Sequence, residues 1–150
     1  MTTYELLKFL HVLLAIIAVG FNASYGVWLS RAAREPAQMP YVLANIKFLD
    51  DRFANPSYVL LLVTGVAMVL VEDLGFGTLW ISLGMGLYVV LVLVAMFGYS
   101  PALRRQLALA SGGDTGSGEY AAASRRATVL GVLSSVLVIA IVFVMVTKPT

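Results

Sequence analysis

Four long apolar segments limit what this chain can fold into. They cover about residues 4–29, 56–71, 78–98 and 127–147. A helix of about 20 apolar residues crosses the hydrocarbon core of a bilayer, and runs such as Leu60 to Val63 lack the alternation of a transmembrane strand. We therefore predict an all-α, polytopic membrane protein, with residues 1–150 forming a single domain built as a four-transmembrane-helix bundle.

The residue inventory excludes several classes of protein. Apolar residues make up 60% of the chain and charged residues 12%, whereas soluble domains have about 45–50% and 25%. The chain has no cysteine and one histidine, which excludes disulfides, iron–sulfur clusters and thiolate zinc sites. The basic residues are scattered between apolar spans, so we expect no nucleic-acid partner.

The basic residues predict the orientation in the membrane. Eight of the ten Lys and Arg residues lie in the loops after spans one and three. The positive-inside rule assigns such loops to the cytoplasm. We therefore expect a multi-pass protein of the cell inner membrane with both termini outside the cytoplasm. The eight residues are Arg31, Arg34, Lys47, Arg52, Arg104, Arg105, Arg125 and Arg126.

The loop between spans one and two contains a second kind of helix signal. From Tyr41 to Phe53, apolar residues recur at helical spacing, which predicts an amphipathic helix at the inner membrane interface. Asn55-Pro56 then has the form of an N-cap and first-turn proline for span two. We expect the carboxylate pairs Asp50-Asp51 and Glu72-Asp73 to be solvated loop charges.

His11 is the strongest candidate for a functional residue. It shares a helical stripe with Ala15, Ala18, Asn22 and Gly26. One interpretation is structural, because polar groups in hydrocarbon bond between helices and small residues let helices approach. The other is a ligand or proton-handling role, since ionisable residues inside membranes are often functional. The residues leave both interpretations open.

Any cofactor bound by His11 would be a b-type haem or a copper ion. His with Met can ligate haem iron, and His with thioethers suits Cu(I). Met85, Met68 and Met145 fall in the same outer half of the spans as His11. The candidate second haem ligand is therefore Met85 or another of these methionines, or His11 of a second copy. The alternative for these methionines is apolar filling. Asn22 is about 16 Å along the helix from His11, so a partner that orients the ring must come from another span.

Two further stripes of small residues favour close helix contacts. They are Ser82 with Gly86 on span three and Gly131 with Ser135 on span four. Such faces could serve a partner as well as the chain itself. We therefore expect the partners to be the lipid bilayer and other membrane subunits, or further copies in a homo-oligomer.

Several short motifs together resemble a bacterial family of predicted integral membrane proteins of unknown function. The first helix of that family carries a leucine-histidine pair, and the likeness covers nearly the whole chain. The motifs are Lys8-Phe9-Leu10-His11-Val12-Leu13, Gly20, Trp28-Leu29-Ser30-Arg31, Asn55-Pro56, Gly65, Trp80 and Ser100-Pro101-Ala102-Leu103-Arg104-Arg105.

A more distant resemblance links the chain to haem-binding membrane protoporphyrinogen oxidases and to copper-resistance membrane proteins. Those oxidases also begin with a Lys-x-x-His helix, which implies that His11 occupies the position of their haem-ligating histidine. Gly84 stands where they have a lysine after Trp80, and this chain has no second histidine. Both differences argue against oxidase chemistry.

These observations favour a small accessory or assembly subunit with no catalytic residues, in which His11 is the hypothetical ligand of haem or copper. The alternative is a haem- or copper-dependent redox enzyme, or a metal transporter.

Overall fold

The computed structural model describes all 150 residues and contains helices and turns without strands. Helices account for 86% of the chain, and four helical segments are long and apolar enough to cross a membrane. The predicted fold class is therefore confirmed. The helices are α1 (Thr3–Ala32), α2 (Met39–Leu49), α3 (Asn55–Val71), α4 (Leu79–Val94), α5 (Ser100–Ser111) and α6 (Gly118–Thr147), with a short 3-10 helix at Pro36–Gln38.

The two longest helices begin at polar caps. The Thr2 hydroxyl accepts a hydrogen bond from the Glu5 amide, and the Glu5 carboxylate accepts one from the Thr2 amide, which completes a capping box for α1. The Ser117 hydroxyl accepts from the Tyr120 amide at the start of α6. These caps satisfy amides that would otherwise lack partners.

Two π-helical turns join the remaining helices into longer rods. Asp50–Ala54 connects α2 to α3, and Ala95–Tyr99 connects α4 to α5. Each π turn lies just before a proline, Pro56 or Pro101. A proline ring clashes with the carbonyl four residues earlier in an α-helix, and the wider π turn accommodates that carbonyl. Because the chain is already helical before it, Asn55 is not an N-cap, and that prediction is wrong.

The four spans pack as two pairs. Helix α1 packs along α3, and α4 packs along α6. No Cα atom of α3 lies within 8 Å of α4, and none of α1 lies within 8 Å of α4. The pairs meet instead where α1 approaches α6 and where α2 crosses α5. The spans therefore leave a gap between the pairs.

A hydrophobic core closes the gap at one end, which we call the basic end because it carries the eight basic residues named above. Leu43, Ile46 and Leu103 are the largest fully buried side chains there. The predicted amphipathic helix is present as α2, and its apolar face packs into this core while Tyr41 and Phe48 are exposed. In the whole chain, 23 of 150 residues are buried, so most of the apolar surface has no covering within the protein.

Candidate functional site: a cavity between the helix pairs

A cavity of about 980 Å³ occupies the gap between the two helix pairs. It runs from Met39 and Gln106 at the basic end to Leu62 and Val89 near the middle of α3 and α4. Of its 31 lining residues, 18 are hydrophobic. A volume of roughly 300–1,000 Å³ with a mostly apolar lining and a few polar groups is typical of small-molecule sites.

Asp50 is the buried carboxylate of this cavity. It lies on the π turn after α2 and is 6% exposed. The expectation of a solvated Asp50 is therefore wrong, because the docking of α2 carries this residue inward with Leu43 and Ile46. Asp51 is exposed and pairs with Lys47. No Lys, Arg or His nitrogen lies within 4 Å of the Asp50 carboxylate.

Glu72 and Asp73 behave differently from Asp50. Both lie in the turn between α3 and α4, and both are exposed, as the sequence predicted for them.

Four of the seven tyrosines of the chain line the cavity. Asp50 lines the same cavity as Tyr25, Tyr58 and Tyr99. The fourth, Tyr88, donates a 2.7 Å hydrogen bond to the Tyr58 carbonyl and so bridges α4 and α3 across the gap. The cavity thus combines one carboxylate with an aromatic wall.

Two enclosed side-chain oxygens of the protein have no hydrogen-bond partner, and both belong to cavity residues. They are the hydroxyls of Tyr25 and Ser134. Tyr25 is 4% exposed. An unpaired buried hydroxyl costs about 1–3 kcal/mol, so two residues of the cavity wall hold polar groups that the protein leaves unsatisfied.

Asn22 and His11 both form interhelical hydrogen bonds between α1 and α3. Asn22 Nδ2 donates to the Ala18 carbonyl at 2.9 Å and to the Tyr58 hydroxyl at 3.0 Å. His11 Nδ1 lies 2.8 Å from Thr64 Oγ1. The predicted partner from another span is therefore Thr64 of α3.

The hydroxyl of Thr64 favours one tautomer of the His11 ring. Thr64 Oγ1 donates its proton to the Leu60 carbonyl at 2.8 Å, so it accepts the hydrogen bond from His11 Nδ1–H. The other nitrogen, Nε2, then carries the lone pair. The ring also lies against Gly65, where a Cβ atom would be 3.2 Å from His11 Cε1. His11 is consequently held in one orientation by α3.

Of the three methionines named with His11, Met68 lies on α3, which packs along α1, whereas Met85 and Met145 lie on the other helix pair. Met85 lies on α4, whose Cα atoms are all more than 8 Å from those of α1. The end of the Met145 side chain packs against Gly84 of α4. Neither His11 nor Met85 lines the large cavity. The donor chemistry of His11 fits one axial ligand of a haem, and Met68 lies on α3 one helical turn beyond Thr64, the residue that bonds to His11.

The predicted stripes of small residues have different surroundings. Gly131 lies against the Tyr99 ring, where a Cβ atom would be 3.4 Å from Tyr99 Cε2, and so permits the α6 contact there. At Gly86 a Cβ atom would meet no other atom within 4 Å, and Ser82 is exposed. Gly84 is instead the buried glycine of α4. Only one of the two stripes therefore lies at a helix contact.

A seven-residue spacing in the sequence indicates that the cavity residues Tyr25 and Asp50 belong to buried helix faces. Buried α1 residues Ala18, Tyr25 and Ala32 recur every seven positions, and Asp50 follows Leu43 by the same interval. Residues seven apart share a helix face. Asp50 and Tyr25 thus occupy apolar-face positions, which distinguishes them from residues of a solvated loop.

The comparisons with known proteins agree with the membrane character of the fold. No curated protein and no solved structure matches the chain significantly. Residues 5–149 match a family described as "Predicted integral membrane protein (DUF2269)". That match covers nearly the whole chain and agrees with the family resemblance found in the short motifs. The chain belongs to this family of predicted integral membrane proteins, whose function is unknown.

Proposed function

We propose that this protein is an accessory membrane protein that binds a lipid-soluble molecule in the cavity between its helix pairs. The single observation that carries the proposal is the cavity itself, with its volume of about 980 Å³ and its mostly apolar lining. Unfilled apolar space of this size is costly in a close-packed protein. A bound molecule would recover the lost contacts.

Access to the cavity supports a ligand that arrives through the bilayer. Helix α1 approaches α6, whereas α3 and α4 stay apart. The gap between α3 and α4 is crossed by the Tyr88–Tyr58 hydrogen bond, and at this opening the cavity-lining side chains Val59, Leu62 and Val89 are exposed. Apolar side chains at such an opening favour entry of a molecule already dissolved in lipid.

Two glycines of α1 provide a matched test. Gly26 lines the cavity and Gly20 does not, and a Cβ atom at either position would meet no other atom within 4 Å. Gly26→Trp should fill part of the cavity, whereas Gly20→Trp should leave it open. We expect native mass spectrometry to find a lipophilic molecule bound to the wild type and to Gly20→Trp, and little or none bound to Gly26→Trp. Equal retention by both variants, or none by the wild type, would contradict the proposal.

Haem or copper binding through His11 is the second candidate, favoured by the bond between His11 and Thr64. When bound, either group would supply redox chemistry. His11 would present Nε2 to the metal, and Thr64 would hold the ring in position. Protein purified with haem supplied should then show a Soret band that His11→Ala abolishes. A wild type with neither a Soret band nor copper, or an unchanged band in the variant, would leave His11 with its structural role alone.

Partners and topology complete the proposal. We expect the chain to associate with other membrane subunits or with a second copy, which mass analysis after extraction in mild detergent would detect.

We also propose an inner-membrane location with both termini outside the cytoplasm. Because the chain has no cysteine, single cysteines introduced at Ser117 and Thr150 can be labelled selectively. From outside the cell, Thr150→Cys should react and Ser117→Cys should be protected; the reverse pattern would invert the topology.

A further inference from the structure

The cavity that we propose as a ligand site has chemically distinct walls, and these indicate the class of ligand. We propose that it accepts an amphiphile with a primary ammonium headgroup, which binds the Asp50 carboxylate and the Tyr25 hydroxyl while its apolar tail lies between the helix pairs. This inference rests on the proposed ligand-binding function and adds the chemistry of recognition.

The isolation of Asp50 is the first argument. A buried carboxylate without a partner is costly, and Asp50 is 6% exposed with no cationic nitrogen within 4 Å. The nearest basic side chain along α2, Lys47, pairs with Asp51 instead. A cationic group on the ligand would supply the ion pair that the protein itself does not form at Asp50.

The Tyr25 hydroxyl is the second, independent argument. It is enclosed and has no hydrogen-bond partner, and the Tyr25 residue lines the same cavity as Asp50, so a turn of the side chain would bring the hydroxyl to the cavity. A primary ammonium group carries three N–H donors and no acceptor. It can therefore donate to the carboxylate and to the Tyr25 oxygen at the same time. A quaternary ammonium group has no N–H and would leave Tyr25 unpaired.

The tyrosine rings that line the cavity add a less directional contribution to binding of the cationic headgroup. Tyr58 and Tyr99 line the cavity together with Asp50. Cations are attracted to the faces of aromatic rings by about 0.5–2 kcal/mol. A headgroup held at Asp50 would therefore also be stabilised by its tyrosine neighbours.

The position of these groups sets the direction of the amphiphile. Asp50 lies on the π turn near the basic end, whereas Leu62 and Val89 mark the opposite end of the cavity. The headgroup would thus lie toward the basic end and the tail toward the bilayer centre. Arg104 also lines the cavity, but it is exposed, so its charge is solvated and does not replace the enclosed carboxylate as the main recognition element.

The test compares three probes that share one apolar tail: dodecylammonium, dodecyltrimethylammonium and dodecanol. Binding is measured by calorimetric titration of the purified full chain in nanodiscs. Dodecylammonium should bind tightest, and Asp50→Asn should weaken it at least tenfold while changing dodecanol binding little. Glu72→Gln is the control because Glu72 is an exposed carboxylate that does not line the cavity and pairs with no basic side chain. It should leave all three affinities unchanged.

The outcomes separate this inference from the proposed function. Equal binding of dodecanol and dodecylammonium, with no loss in Asp50→Asn, would overturn the ammonium headgroup while leaving the cavity a ligand site. The ratio of the two affinities within one variant guards against general misfolding, because misfolding would weaken both probes. Tyr25→Phe should reduce the preference for dodecylammonium over dodecyltrimethylammonium; an unchanged preference would exclude the Tyr25 hydroxyl from the site.

The same chemistry could come from a lipid headgroup or from a free long-chain amine. Native mass spectrometry from nanodiscs of mixed phosphatidylethanolamine and phosphatidylcholine distinguishes the sources. Selective retention of phosphatidylethanolamine identifies a lipid headgroup, whereas binding of dodecylammonium without such retention identifies a free amine. Either result supports recognition of a primary ammonium group.

Discussion

His11 and Asp50 are both polar residues on helices of a membrane protein, yet their surroundings are opposite. His11 bonds to Thr64 across the α1–α3 contact and packs against Gly65. Asp50 is buried beside a cavity and pairs with no cation. A polar group with a partner in the next helix stabilises that contact, whereas one without a partner leaves a free energy cost that a ligand can offset.

The largest expected effect is a loss of stability when the space next to the His11 ring is crowded. In Gly65→Leu, the new side chain must enter space next to the His11 ring, where a Cβ atom is already 3.2 Å from Cε1. Overpacking of this kind costs about 1–3 kcal/mol, and we expect the upper end of that range. Gly86→Leu is the control, because a Cβ atom there meets nothing within 4 Å. Reversible unfolding in mixed micelles measures both, and equal stability would contradict the tight α1–α3 contact.

The next expected effect is a gain in stability on substitution of Asp50. Removing an unpaired buried charge should stabilise the ligand-free protein, so we expect Asp50→Asn to raise the free energy of unfolding by roughly 2 kcal/mol. Asp51→Asn breaks a partly exposed ion pair and should lower it by at most about 1 kcal/mol. Unfolding after exhaustive delipidation checks both. A destabilised Asp50→Asn would mean that the carboxylate has a partner within the protein.

The smallest effect isolates the hydrogen bond of His11. Thr64→Val preserves the shape of the side chain and removes the acceptor of His11 Nδ1, which should cost about 1 kcal/mol, as for other hydrogen bonds between membrane helices. A double-mutant cycle with His11→Ala should recover a coupling of the same size. Additive effects of the two substitutions would show that the bond contributes nothing to stability.

The spans were predictable because hydropathy is local. Each apolar segment reports its own transfer into lipid, and the helical spacing from Tyr41 to Phe53 was sufficient to predict α2. The partner of His11 was predictable only as a residue from another span, since no sequence rule selects Thr64 among the polar residues of the other helices.

The cavity could not be predicted in the same way. Its existence depends on α3 and α4 staying apart, which is a property of long-range packing. Asp50 was misjudged because neighbouring charges in a loop suggested solvation, whereas its burial follows from the docking of α2 against α5. The unpaired hydroxyl of Tyr25 is likewise visible only when all neighbouring helices are in place.

The π turns before Pro56 and Pro101 keep the helix faces on either side of each turn aligned. A π turn contains one residue more than an α turn, and each residue of an α-helix advances by about 100°. Because the π turn covers one turn with that extra residue, deleting a single residue within Asp50–Ala54 would leave an α turn over the same arc, and Leu43 and Ile46 would keep facing the basic-end core. The carbonyl that the π turn accommodates would then meet the Pro56 ring. The extra residue thus relieves the proline without changing the faces that one continuous rod presents to α5 and to α1.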